Sequence, residues 1–108
     1  MTYKEIADMV GGFGLPYAYY EFPNGTEQEP PFICFIYNYD DFHADNSNYV
    51  GKVELIIELY TVTKDFALET SLESYLTTFG LSWGKTAAYI DSEKMWQIAY
   101  STEVYINA

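Results

Sequence analysis

The residues with the widest chemical range sit together in one stretch, Asp40-Asp41-Phe42-His43-Ala44-Asp45-Asn46. Its carboxylates, its amide and the chain's single imidazole are all groups that a divalent cation accepts. The spacing lacks the alternate-position ligands and sixth-position glycine of a calcium loop, and a zinc site would need more His or Cys. A solvated loop is the better reading, and no metal is assigned. Glu54 and Glu58, four apart on an expected strand, point to one face but stand roughly 13 Å apart, beyond the carboxylate pairing of glycoside hydrolysis. For nucleophilic catalysis the chain offers Cys34 and several serines, with His43 its only histidine and no nucleophile-elbow sequence. The cluster Gly11-Gly12-Phe13-Gly14 runs into Leu15-Pro16 rather than a helix, so it carries no phosphate-loop or dinucleotide fingerprint and reads as a helix stop plus a turn. Trp83 and Trp96 would make a stacking platform only with basic residues beside them, and read instead as core or cross-strand partners. The chain is read as a non-enzyme with no catalytic residue and no cofactor.

The elements that must hold these residues are organised around Lys52 to Gly80. Val53, Leu55, Ile57 and Leu59 alternate with Glu54, Ile56, Glu58 and Tyr60, the two-residue period of a half-buried strand. A helix from about Asp65 to Phe79 follows, capped by Asp65 and stopped by Gly80. Leu68, Leu72, Tyr75, Leu76 and Phe79 form its apolar stripe, with Glu69, Ser71, Glu73 and Ser74 placed off it. Upstream, Thr2-Tyr3-Lys4-Glu5 matches a capping box and opens a helix over residues 2 to 11, with Ile6, Met9 and Val10 inward and Gly11-Gly12 as its left-handed stop.

A strand is expected over Tyr17–Phe22, before the turn signal Pro23-Asn24-Gly25. Phe32–Tyr37 is a near-continuous apolar run, read as a central strand covered on both faces. Asn38 to Asn48 is a hairpin connection far longer than a tight turn needs, and loops of that length are commonly functional. Leu81–Ile90 reads as a weaker strand that Gly84 bends. After the turn Asp91–Lys94 a last strand places Trp96, Ile98, Tyr100, Val104 and Ile106 on one face, with Gln97, Ser101 and Glu103 opposite. The order α-β-β-β-α-β-β predicts a single α+β domain over 1–108, a mostly antiparallel sheet of four to five strands with two helices.

The 108 residues carry 16 carboxylates against 5 lysines and no arginine, a net charge of -11 that repels nucleic acid and anionic lipid. The hydrophobic share of 49% argues against a disordered chain. Cys34 lies inside an apolar run and reads as a small buried hydrophobe in a reducing compartment. No signal peptide, membrane-spanning run or lipidation motif is visible, and a soluble intracellular protein is expected. The 12 tyrosines exceed what a small core needs, and tyrosine favours surfaces that are dry at one end and wet at the other.

The whole-chain pattern resembles the tail-terminator, or tail-to-head joining, proteins of long-tailed bacteriophages and prophages. The resemblance rests on the small N-terminal helix, the long-looped hairpin, the strand-helix unit with Glu58-Leu59-Tyr60-Thr61 and Asp65-Phe66-Ala67-Leu68-Glu69, and the closing hairpin through Tyr89–Met95. It implies a structural subunit of the virion, assembled in the bacterial host cytoplasm, that forms a hexameric ring with copies of itself and meets tail-tube and head-connector proteins. DNA would pass through such a ring without specific binding, and no membrane is involved. Asp40, Asp41, Phe42, His43 and Asp45 of the loop, with Glu54, Ile56, Glu58 and Tyr60 of the strand, are the expected subunit or partner contacts: the loop can order on a partner, and the strand face mixes apolar and charged residues. The competing class is a small acidic regulatory or inhibitor domain that binds a protein partner.

Overall fold

Thr2 starts the first helix, α1 (Tyr3–Gly12). The Thr2 hydroxyl accepts from the Glu5 backbone N–H at 3.1 Å, and the Glu5 carboxylate accepts from the Thr2 N–H at 2.7 Å, the expected capping box. The computed structural model describes residues 1–23, 28–39 and 51–107. Gly11 and Gly12 are not the left-handed stop; that conformation belongs to Gly14, with φ of +104°. The glycine pair is needed for space. A Cβ on Gly11 would lie 2.6 Å from the Tyr17 ring, and one on Gly12 2.6 Å from the Tyr75 hydroxyl.

The strands are β1 (Tyr17–Tyr19), β2 (Phe32–Asn38), β3 (Lys52–Thr61), β4 (Trp83–Ile90) and β5 (Met95–Tyr105), in the sheet order β1-β2-β3-β5-β4. The order of elements and the α+β class are as the sequence predicts. β1 is shorter than expected because Tyr20 turns the backbone to φ of +68°. It pairs parallel to β2, and every other pairing is antiparallel. α2 (Phe66–Thr78) crosses from β3 to β4, and β5 then returns between them, a split β-α-β arrangement.

Asp65 caps α2 by accepting from the Leu68 N–H at 3.0 Å. At the other end Gly80, with φ of +79°, lets the Gly80 and Leu81 N–H groups reach the carbonyls of Thr77 and Leu76, a Schellman stop. Both helices lie on one face of the sheet. Ile6, Met9 and Val10 of α1 and Leu72 and Leu76 of α2 pack on Ile33, Phe35, Val53, Leu55, Ile57, Leu59, Ile98, Tyr100 and Val104. These are the alternate positions that the pairing register brings side by side.

Three further expectations need correction. The apolar run of β2 is covered by helices on one face only; on the other, Cys34 is buried beside Glu21 and Phe22, while Ile36 stays half-exposed. Phe79 leaves the α2 stripe and is 47% exposed. Glu69, placed off that stripe, is 1% exposed.

Candidate functional site

The sheet face turned away from the helices is built by the second set of alternating positions. Across it the register places Phe32 beside Tyr60 and Gln97, Cys34 beside Glu58 and Ala99, Ile36 beside Ile56 and Ser101, and Asn38 beside Glu54 and Glu103. All four strand residues expected to make contacts, Glu54, Ile56, Glu58 and Tyr60, therefore share this face, and each is half-buried. The five loop residues of the same expectation, Asp40, Asp41, Phe42, His43 and Asp45, lie outside the described residues.

The two carboxylates have separate partners. Glu54 accepts from the Ser101 hydroxyl and from the Asn38 amide at 2.9 Å, and these hydrogen bonds, Ser101 foremost, hold its carboxyl below the ordinary glutamate value. Glu103 stands opposite Glu54 in the register and is engaged by Lys52 at 3.5 Å, which offsets the like-charge contact. Glu58 accepts from the Tyr60 hydroxyl and the Gln97 amide, both at 3.2 Å. Desolvation raises its carboxyl, the Tyr60 hydrogen bond working the other way. Burial likewise pushes the neighbouring Cys34 thiol up to about 11 and the Tyr60 hydroxyl up to about 12. Phe32 stacks on Tyr60 with ring centroids 4.9 Å apart, and Phe22 meets Phe32 edge-on at 5.3 Å. The face thus has a polar end at Asn38, Glu54 and Glu103, a half-exposed apolar middle at Ile36, Ile56 and Ala99, and an aromatic end at Phe32 and Tyr60. Such a surface offers contact area with oriented acceptors, not a reactive centre.

The helix side holds an ionic cluster that sequence reasoning missed. Glu69 accepts from Lys64 at 2.7 and 2.9 Å and is paired with Lys85 at 2.8 Å. Lys85 also reaches Glu73 at 2.7 Å, and the same Glu73 oxygen accepts from the Tyr100 hydroxyl at 2.7 Å. Burial works to raise the Glu69 and Glu73 carboxyls, but the lysines, helped at Glu73 by Tyr100, outweigh it and hold both below the ordinary value. Burial, then the bond to Glu73, drives the Tyr100 hydroxyl upward. A signal was present: Glu69, Leu72 and Leu76 stand at positions i, i+3 and i+7, so Glu69 continues the buried stripe by one turn.

Trp83 and Trp96 sit where the sequence puts them, as cross-strand and core partners. Trp83 meets Tyr100 edge-on at 5.4 Å and Trp96 meets Tyr89 at 5.4 Å. Among the described residues no His, Cys, Asp and Glu side chains gather into a metal-binding group, and no helix is long and apolar enough to cross a membrane. Comparison with protein-family models finds no match, and comparison with curated proteins finds none either.

Proposed function

We propose that this chain is a structural assembly subunit, a ring-forming tail terminator or head-tail joining protein of a long-tailed bacteriophage or prophage. The observation that carries the proposal is the one-sided packing of the sheet. Both helices cover a single face, and the other presents Ile36, Ile56 and Ala99 half-exposed between a carboxylate-rich end and an aromatic end. A mixed surface of that kind suits contacts between folded subunits, which are apolar at the centre and polar at the rim. The net charge of -11 suits a ring through which DNA passes, because a wall of carboxylates without arginine gives phosphates no site to hold. The resemblance in element order supplies the particular assembly.

The test is light scattering of the concentrated protein, alone and mixed with purified tail tubes or head connectors. Assembly larger than a dimer, or stable capture on tubes or connectors, is the expected result. Monomers that bind neither would overturn the proposal, and a one-to-one complex with an unrelated enzyme would favour the acidic-inhibitor reading instead.

A further inference from the structure

The acidic residues of this chain are unevenly spread, and the fold puts the gaps at matching places. The longest run without Asp or Glu is Ser74 to Ile90, and the next is Met9 to Tyr20. The first contains all of β4 and the second all of β1, which are the two edges of the sheet. In a chain of net charge -11, two copies repel each other over most approaches, and these two strands bring no carboxylate of their own to an approach.

β4 carries none of the devices that usually keep strands from pairing, such as outward lysines or a proline, whereas β1 is only three residues long and follows Pro16, so β4 is the open edge and β1 the shorter partner. β4 is exposed from Gly84 to Tyr89 and has no proline. Its one charged residue, Lys85, is drawn inward onto Glu69 and Glu73. β1 presents Tyr17 and Tyr19, which are 43% and 51% exposed. The strand directions also fit. β1 is parallel to β2, and the three antiparallel pairings that follow leave β4 running opposite to β1. Placing one copy beside the next without turning it over therefore sets β4 of one antiparallel to β1 of the other. In that arrangement Glu21, just past the end of β1, falls near the start of β4, while Asp91 and Glu93, just past the end of β4, fall near Leu15 to Tyr17. The flanking carboxylates stay apart.

We infer that copies of this chain join edge to edge, β4 of one subunit pairing antiparallel with β1 of the next to continue the sheet. The inference rests on the proposed self-assembly and names the surface that performs it. The contact is head-to-tail, so it closes into a ring when the rotation per subunit allows and otherwise runs on as a filament. On the face away from the helices it brings Thr86 and Ala88 beside Ala18, and on the helix side Ala87 leaves room for the Tyr17 and Tyr19 rings.

The test uses the full chain in a Cys34→Ala background. The paired variants A18C/T86C and A18C/A88C are oxidised and sized under denaturing conditions, with A18C, T86C and A88C alone as controls. A covalent ladder beyond the dimer from a paired variant, with no dimer from the single ones, is the expected result. Dimers from T86C or A88C alone would mean β4 pairs with itself and would overturn the inference, as would no cross-linking at all. A second arm places acid on the edge with the double variant Thr86→Glu and Ala88→Glu, which should keep the parent's circular dichroism and a cooperative melt but scatter light as a monomer. If the parent forms rings and this variant still does, the edge inference fails and the ring reading stands. If the parent forms open filaments cross-linked through these edges, the ring reading fails and the edge inference stands.

Discussion

Replacing both Lys64 and Lys85 by Met removes every cationic partner that Glu69 has among the described residues while keeping most of each side chain's apolar stem. The carboxylate is 1% exposed, whereas the lysine side chains are 23% and 34% exposed. Each single replacement leaves Glu69 one bridge at 2.7 or 2.8 Å, and the expected cost of about 1–2 kcal/mol lies between that of a surface pair and that of a buried one. The double replacement strands a buried charge, with an expected cost of about 3–5 kcal/mol. Taken at matching ends of these ranges, it exceeds the sum of the single costs by about 1 kcal/mol. The melting temperature falls by about 12–20 °C, at roughly 4 °C per kcal/mol for a domain of this size.

Urea unfolding followed by the fluorescence of Trp83 and Trp96 measures each variant, and pH supplies a second reading. The Glu69 carboxyl is held below the ordinary glutamate value of 4.5, so the stability it contributes is present above that value and lost as pH falls through its depressed pKa. Glu73 acts in the same direction. The doubly substituted protein lacks this contribution, and its Glu69 is stabilised by taking up a proton. The gap between parent and double variant should therefore narrow on going from pH 7 to below the ordinary glutamate value. A double replacement that costs under about 1 kcal/mol at pH 7, or a gap unchanged on acidification, would refute the assignment of Glu69 as a buried charge held by two lysines.

Three further outcomes follow from the packing. Gly12→Ala should destabilise the parent although alanine favours helix, because its Cβ meets the Tyr75 hydroxyl at 2.6 Å; in a Tyr75→Phe background the nearest remaining atom is the ring carbon at 3.9 Å and the same change should stabilise by about 1 kcal/mol. A thermal melt of the four-member cycle checks the change of sign, and destabilisation in both backgrounds would argue against the contact. Tyr75→Phe alone gives up the hydrogen bond to the Met9 carbonyl at 2.7 Å and should cost about 1 kcal/mol by the same melts. Cys34, 4% exposed and with its thiol pushed up to about 11, should react with a thiol reagent at pH 8 only as fast as the protein opens, and addition of urea should release the full thiol; rapid labelling of the native protein would contradict its placement.

Much of the fold is legible in the sequence because local signals and tertiary demands agree. Thr2 with Glu5, Asp65 with Leu68, and Gly80 each do locally what their residue type favours. The alternation in β3 and β5 sorts the apolar buried positions correctly, since one face of each strand meets the helices, but Thr61 and Thr102, both 4% exposed, lie on that face without being expected there. The strand residues Glu54, Ile56, Glu58 and Tyr60 fall on one face by period alone, but their partners Asn38, Gln97 and Ser101 come from other strands and depend on register. Glu69 escapes a sequence reading because a carboxylate in a stripe reads as solvated unless its lysines are known to converge. Lys85 reaches it only because β4 passes beside α2. Gly11 and Gly12 read locally as a left-handed helix stop because their real requirement, room for Tyr17 and Tyr75, is set by residues outside that turn. The return of β5 between β3 and β4 is likewise a global choice that no local pattern encodes.

The claim that copies of this chain build a closed assembly is tested most directly by native mass spectrometry of the concentrated wild-type protein. A single closed species at six times the 12.4 kDa subunit mass is expected, falling apart to monomers when Thr86 and Ala88 are changed to Glu. A spectrum of monomers or dimers at every concentration would contradict it.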